Sequence, residues 1–326
     1  MTVTLDAAEV PLAERPDIEA WSENYCNQAY SPANGVGFWT HLSRLAGPEE
    51  IWRDVLIAYL PGDRFLLAKG YGNTATEAGP GSGMFSMRCE EPWRSWSMRF
   101  RGAVRDVSGD ELRAGAIPDQ HHYVAALDLT WTAMSPVWDL GARMSGQTWA
   151  HAHYEQACRV TGQLSLGDER WEIDGTGIRD HSRGARVFGT VRDHWWLNGQ
   201  SPSGRSFAVL QVFNHGGDVT PLSSGYVSDG STMEDAEVLE VAILEADEHG
   251  APLRTRCALR TASGDHVITG RILQSMPFGM GSPNELVLGR SVTAATPLTL
   301  RECQTEYTWD GETAYGLTER SWTPVS

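Results

Sequence analysis

The chain has 326 residues, 41% hydrophobic and 21% charged, and Lys plus Arg at 26 against Asp plus Glu at 42 give a formal net charge of −16. These proportions exclude a disordered chain, and the acidic balance excludes nucleic acid as a partner, because a phosphate backbone would be repelled. No apolar run approaches the roughly 18 residues that a membrane-crossing helix needs, and Asp6, Glu9, Glu14, Asp17 and Glu19 against Arg15 are the reverse of a basic leader. A cytoplasmic protein of two domains is expected, since domains usually hold about 100–200 residues.

In chain order, Leu12 to Glu23 reads as a short helix, and everything after it reads as strands. The glycine-rich GPGSGMFS (Gly79 to Ser86) lacks the lysine and following helix of a phosphate cradle and reads as a loop. In WRSWSMRFRGAV, Trp96, Met98, Phe100 and Val104 alternate with Ser95, Ser97, Arg99 and Arg101. In HHYVAALDLTWTA, Tyr123, Ala125, Leu127, Leu129 and Trp131 form the apolar set. Period-two alternation of this kind marks strands with one buried face. Turn signals recur at Pro61-Gly62-Asp63, Gly167-Asp168, Asn198-Gly199, Asp229-Gly230 and Ser263-Gly264-Asp265, and Asp310-Gly311 sits between two alternating arms as the clearest hairpin. Roughly eight candidate strands precede RDHSRG and eight or nine follow it, the density of all-β sandwiches or barrels. The domain boundary is expected near Ser182.

Five cysteines (Cys26, Cys89, Cys158, Cys257, Cys303) without a C-x-x-C pair read as buried reduced thiols. Thirteen tryptophans suit a core or an apolar ligand cavity. No G-x-S-x-G, H-E-x-x-H, P-loop or helix-opening G-x-G-x-x-G occurs, which removes serine hydrolases, kinases and Rossmann dehydrogenases from the leading readings.

Two stretches carry ionisable groups in quantity. In HAHYEQACRV, a strand would point His151, His153 and Glu155 to one side, as part of a metal site, a polar pocket wall or a solvated face. Between Gly175 and Gly199 lie two Asp-His pairs, Asp180-His181 and Asp193-His194, with Arg179, Arg183 and Arg186 beside the first and Trp195 and Trp196 after the second. An ion-pair network at a domain joint explains the arginines, because buried charges need partners. Acid catalysis is the alternative. An aspartate in a Trp-lined, desolvated cavity favours its neutral form and can donate a proton near neutral pH, and tryptophan faces stabilise a developing carbocation. Asp193, followed by His194-Trp195-Trp196, looks better placed for this than the arginine-flanked Asp180.

GTGIRDHSRGAR (Gly175 to Arg186) resembles the G-x-R-D-H-S-x-G-x-R signature of the two-domain, lipocalin-like superfamily of carotenoid 1,2-hydratase and the AttH-like proteins. HYEQACRVTGQL, NGVGFWTHLSR and WDGETAYGLTERSW resemble its uncharacterised bacterial branch. The resemblance implies an all-β chain of two tandem antiparallel calycin-like barrel or sandwich domains, residues 1–182 and 183–326, with an apolar ligand site in or between them. It puts Asp180, His181 and Arg186 on the signature, adds Tyr154 and Glu155, and marks a departure at Arg183, where many relatives carry Trp.

Together these readings give an acid–base hydratase or cyclase acting on an apolar isoprenoid- or polyketide-like molecule. Asp180, His181, Asp193 and His194 are the catalytic candidates; Tyr154, Glu155, Arg183, Arg186, Trp195 and Trp196 are the substrate-binding ones. No cofactor is expected, the partner is a small hydrophobic substrate, and a homodimer is compatible with the chain. The alternatives are a non-catalytic carrier of a hydrophobic small molecule and a metal enzyme using His151, His153 and Glu155.

Overall fold

The structure, a computed structural model, describes residues 6–47, 49–114, 122–215, 221–281, 285–289 and 298–323. The first half contributes β1 (Trp21–Ser31), β2 (Val36–Arg44), β3 (Trp52–Leu60), β4 (Arg64–Gly72), β5 (Phe85–Glu91), β6 (Ser95–Ser108), β7 (His122–Ala133), β8 (Trp138–Asp139), β9 (Ala152–Leu166) and β10 (Glu169–Ala185). The second contributes β11 (Val191–Gln200), β12 (Ser206–Asn214), β13 (Leu222–Ser228), β14 (Met233–Ala246), β15 (Pro252–Thr261), β16 (Gly264–Gly281), β17 (Glu285–Leu288), β18 (Leu298–Trp309) and β19 (Glu312–Trp322). Among the described residues no helix is long and apolar enough to cross a membrane.

Each half closes on itself. The order β10-β1-β2-β3-β4-β6-β7-β9 returns through a β9–β10 pairing, and β15-β14-β13-β12-β11-β19-β18-β16 returns through β15–β16. Closure removes the unpaired edges that open antiparallel sheets expose. The two-domain, all-β expectation is met. The last strand of the first half, β10, runs to Ala185, past the expected boundary at Ser182, and β11 begins at Val191.

Leu12 to Glu23 forms no helix. Pro16 lacks the N–H that a helix interior requires, and the chain enters β1 at Trp21. The preceding segment lies against the first barrel, where Glu9 is fully buried.

Period-two side chains sort into three apolar clusters. Tyr25, Phe38, Trp96, Phe100 and Trp131 fill the first barrel. Trp195, Leu197, Phe207, Leu259 and Trp309 fill the second. The third, with Trp39, Val55 and Ile57 from one barrel and Trp196, Leu210 and Leu300 from the other, lies between them. Polar contacts tie the joint: Gln28 Nε2 donates to Gln304 Oε1 at 2.7 Å, and Tyr59 Oη donates to the Glu302 carbonyl at 3.0 Å. Gly37 belongs here because a Cβ would stand 2.7 Å from the Gln304 side chain.

Candidate active site between the barrels

Alternation along β10 divides the signature between two environments. Arg179, His181 and Arg183 point to the first barrel's interior, and Asp180 and Ser182 point at the second barrel. The inward set is fully engaged. Arg179 donates to Glu9 Oε1 at 2.8 Å and sits over the Trp96 and Tyr154 rings. His181 stacks on Tyr25 with ring centroids 3.9 Å apart, and its nitrogens meet the Ala8 carbonyl and Glu23 Oε1, each at 3.0 Å. Arg183 donates to Glu23 Oε1 at 2.8 Å and to the Val10 carbonyl at 2.6 Å. Tyr154 donates to Glu9 Oε1 at 2.6 Å.

Burial works against ionising Glu9, but Arg179, Tyr154 and the Trp93 backbone N–H together hold it below its ordinary value. Burial likewise opposes Glu23, and His181 and Arg183 outweigh it. This side of the signature is an ion-pair joint that clamps the N-terminal segment into the barrel. Arg183 pairs there and lines no part of the inter-barrel cavity.

The outward set meets a cavity of about 110 Å³, room for several waters or a small organic group. From the first barrel come Asp180, Ser182, His153, Arg186, His41, Cys26, Trp39 and Trp149. From the second come His194, Trp196, Glu302, Glu319, Ser321, and the aliphatic Leu210, Val212 and Leu300.

At its first-barrel wall the polar groups form a chain. Glu155, the cross-strand partner of Asp180, is fully buried, and its Oε1 lies 2.9 Å from His153 Nε2. His153 Nδ1 lies 3.7 Å from Asp180 Oδ2, and among the described residues Asp180 Oδ1 has no hydrogen-bond partner. Burial lifts Asp180 to about 7, with Glu155 and Glu319 adding to the rise while His153 and Arg186 oppose it. Burial lifts Glu155 to about 8 and depresses His153 below its ordinary value. A protonated Glu155 can donate its O–H to Nε2, while Nδ1 makes no hydrogen bond among the described residues and keeps only the 3.7 Å approach to Asp180. Arg186 donates to Ser182 Oγ at 2.6 Å and to the Trp149 carbonyl at 3.0 Å, and burial lowers it to about 10. His153 also borders a second recess of about 150 Å³ with Asp139, Tyr154, His181 and Arg183.

The second Asp-His pair divides in the same way. His194 and Trp196 face the cavity, and Asp193 and Trp195 do not. Asp193 lies 3.6 Å from Arg320 Nε, and that guanidinium is 5.1 Å from the Trp195 ring centre. His194 Nδ1 reaches Ser321 Oγ at 3.0 Å and Glu319 Oε1 at 3.1 Å.

Of the candidates named from sequence, Asp180, Arg186, His194 and Trp196 therefore come together, with Glu155 behind His153. His181, Asp193, Tyr154, Arg183 and Trp195 do not join them. His151 precedes β9 and is exposed, so it does not share the aligned strand face with His153 and Glu155. No group of three or more His, Cys, Asp or Glu side chains among the described residues is placed to hold a metal ion. Sequence reasoning missed Glu302, Glu319, Trp39 and Trp149 as lining residues.

Solved structures share this fold at low identity. An AttH-assigned protein from Nitrosomonas europaea superposes with a TM-score of 0.63 at 12% identity, covering 99% of this chain and 100% of that one. CghA gives 0.57 at 13% identity over 99% and 96% of the two chains. Kievitone hydratase from Nectria haematococca gives 0.55 at 10% over 93% and 89%. The likeness to the lipocalin-like AttH and hydratase fold read from the signature is thus borne out. No curated protein matches the sequence. Residues 7–324 match the family described as Domain of unknown function (DUF7064), and the chain belongs to that family.

Proposed function

We propose that the inter-barrel cavity is the active site of an acid–base enzyme of hydratase or cyclase type, acting on a small, mostly apolar molecule. One observation carries this reading. Asp180 is a buried carboxyl with one oxygen that has no partner among the described residues, facing an aromatic cavity and held near neutral pH in its titration. A carboxyl poised there donates a proton at ordinary pH, which is worth about 10²–10⁴ in rate.

The other groups fall into roles around it. Trp39, Trp149 and Trp196 line the cavity, where aromatic rings can stabilise positive charge that develops when a double bond is protonated. His153, between Asp180 and the second recess, returns the proton. The structural likeness to kievitone hydratase agrees with this chemistry at the level of fold.

The test is incubation in heavy-oxygen water with a panel of prenyl alcohols, acyclic terpenes and conjugated polyenes, read by mass spectrometry. Conversion of a panel member is expected for the wild type and its loss for Asp180→Asn, with both proteins melting alike. Stoichiometric retention of an unchanged panel member would favour the carrier reading. Equal conversion by Asp180→Asn would remove Asp180 from the chemistry.

A further inference from the structure

The wall built by the second barrel holds a carboxyl pair that the reading above leaves unused. Glu302 on β18 and Glu319 on β19 are direct cross-strand partners, and both line the cavity. Glu302 is 0% exposed, and among the described residues no group other than the neighbouring Glu319 carboxyl is placed to hydrogen-bond its carboxyl oxygens. Such a group is costly to bury unless it has a task or a partner. Its backbone is fixed, since Tyr59 of the first barrel donates to its carbonyl. Glu319 is anchored to His194 at 3.1 Å.

Two adjoining carboxyls in a desolvated site cannot both ionise readily. Burial first, and the Glu319 carboxyl next, push Glu302 well above the usual carboxylate range. With a proton on Glu302, the pair has room for a second. The two strand pairs also match. Glu155 faces Asp180 across β9–β10 as Glu302 faces Glu319 across β18–β19, and Ser182 and Ser321 each follow the second acid by two residues.

We propose that Glu302 and Glu319 are a second proton-exchanging pair of this site, accepting a proton at the second-barrel wall while Asp180 donates one at the first. The proposal rests on the reading of the cavity as an acid–base active site. For a hydration, the Asp180 O–H bond breaks and its proton forms a C–H bond with the alkene π electrons. A water oxygen forms a C–O bond at the other carbon, and that water's proton passes to the ionised member of the Glu302–Glu319 pair. Water has added across the double bond with no change of oxidation state overall. One proton has crossed from Asp180 to the pair and returns through His194, His153 and solvent.

Two measurements test this on the full chain. Infrared spectra against pH should show protonated-carboxyl carbonyl absorption in the wild type at neutral pH, of which the part not supplied by Glu155 and Asp180 is missing from Glu302→Gln. An unchanged band in that variant overturns the proposal without any substrate. On whichever panel member the wild type converts, Glu302→Gln and Glu319→Gln should each lower kcat about 10²–10⁴-fold with little change in KM. Full turnover by both, beside an inactive Asp180→Asn, overturns the pair and leaves Asp180 in place. Turnover retained by Asp180→Asn overturns the active-site reading and the pair with it. If Glu302→Gln fails to fold by circular dichroism, Glu319→Gln carries both measurements.

Discussion

The β9–β10 and β18–β19 hairpins are built alike toward the cavity and differently behind it. Both present a cross-strand acid pair and a serine to the joint: Glu155, Asp180 and Ser182 in one, Glu302, Glu319 and Ser321 in the other. Behind that face, β10 directs Arg179, His181 and Arg183 onto Glu9 and Glu23, whereas β18 and β19 direct Tyr307 and Thr305 onto Thr318. The first barrel thus braces its wall with buried charge and the second with neutral hydroxyls. A motif conspicuous for its charge is in large part a brace, and the chemistry lies with its alternate residues.

Removing one member of the brace should produce the largest effect on stability. Glu9→Gln leaves the buried Arg179 guanidinium without its carboxylate, and breaking a buried pair from one side costs about 3–5 kcal/mol. A large drop in melting temperature is expected; an unchanged one would mean that the brace is dispensable. Acid should weaken the brace too. Glu9 and Glu23 titrate below their ordinary values in the folded chain, so the stability they contribute is present above the unfolded carboxylate range and lost as pH falls through their folded values.

The cavity face has the opposite sign. Glu155 and Asp180 are lifted to about 8 and about 7, so their contribution is present below the ordinary carboxylate values and is lost as pH rises through 7 to 8. Melting temperatures of the wild type should decline across that range, and Glu155→Gln should flatten the decline. A decline of equal slope in the variant would mean that Glu155 ionises freely. Turnover that depends on protonated Asp180 should fall along the same limb, as pH passes about 7.

Much of this was legible in the residues. Period-two alternation in Trp96, Met98 and Phe100 and in Leu127, Leu129 and Trp131 placed those side chains in the first barrel's core. At Asp310 and Gly311 the φ angles are 52° and 79°, the positive values that a two-residue hairpin turn requires. Counting outward from that turn pairs Trp309 with Glu312 and brings Glu302 opposite Glu319. The Glu pair was therefore available from sequence as a register, but nothing in the chain says that this face meets a second barrel. His181 and Asp193 misled for a related reason. Adjacent strand residues point to opposite faces, so an Asp-His dipeptide on a strand cannot send both side chains into one cavity.

That same parity sets the smallest expected effect, at Asp193. Its partner Arg320 also stacks at 4.6 Å from the Trp322 ring centre and donates to the Gly250 carbonyl, so the guanidinium keeps contacts when the carboxylate is gone. The Asp193 and Arg320 side chains are 28% and 18% exposed, and a partly solvated pair contributes about 1 kcal/mol or less. Asp193→Asn should leave turnover unchanged and shift the melting temperature only slightly, while Asp180→Asn abolishes turnover at nearly constant stability. The reverse pattern, an inactive Asp193→Asn beside an active Asp180→Asn, would place the working acid behind the second barrel's wall and undo the division between brace and cavity.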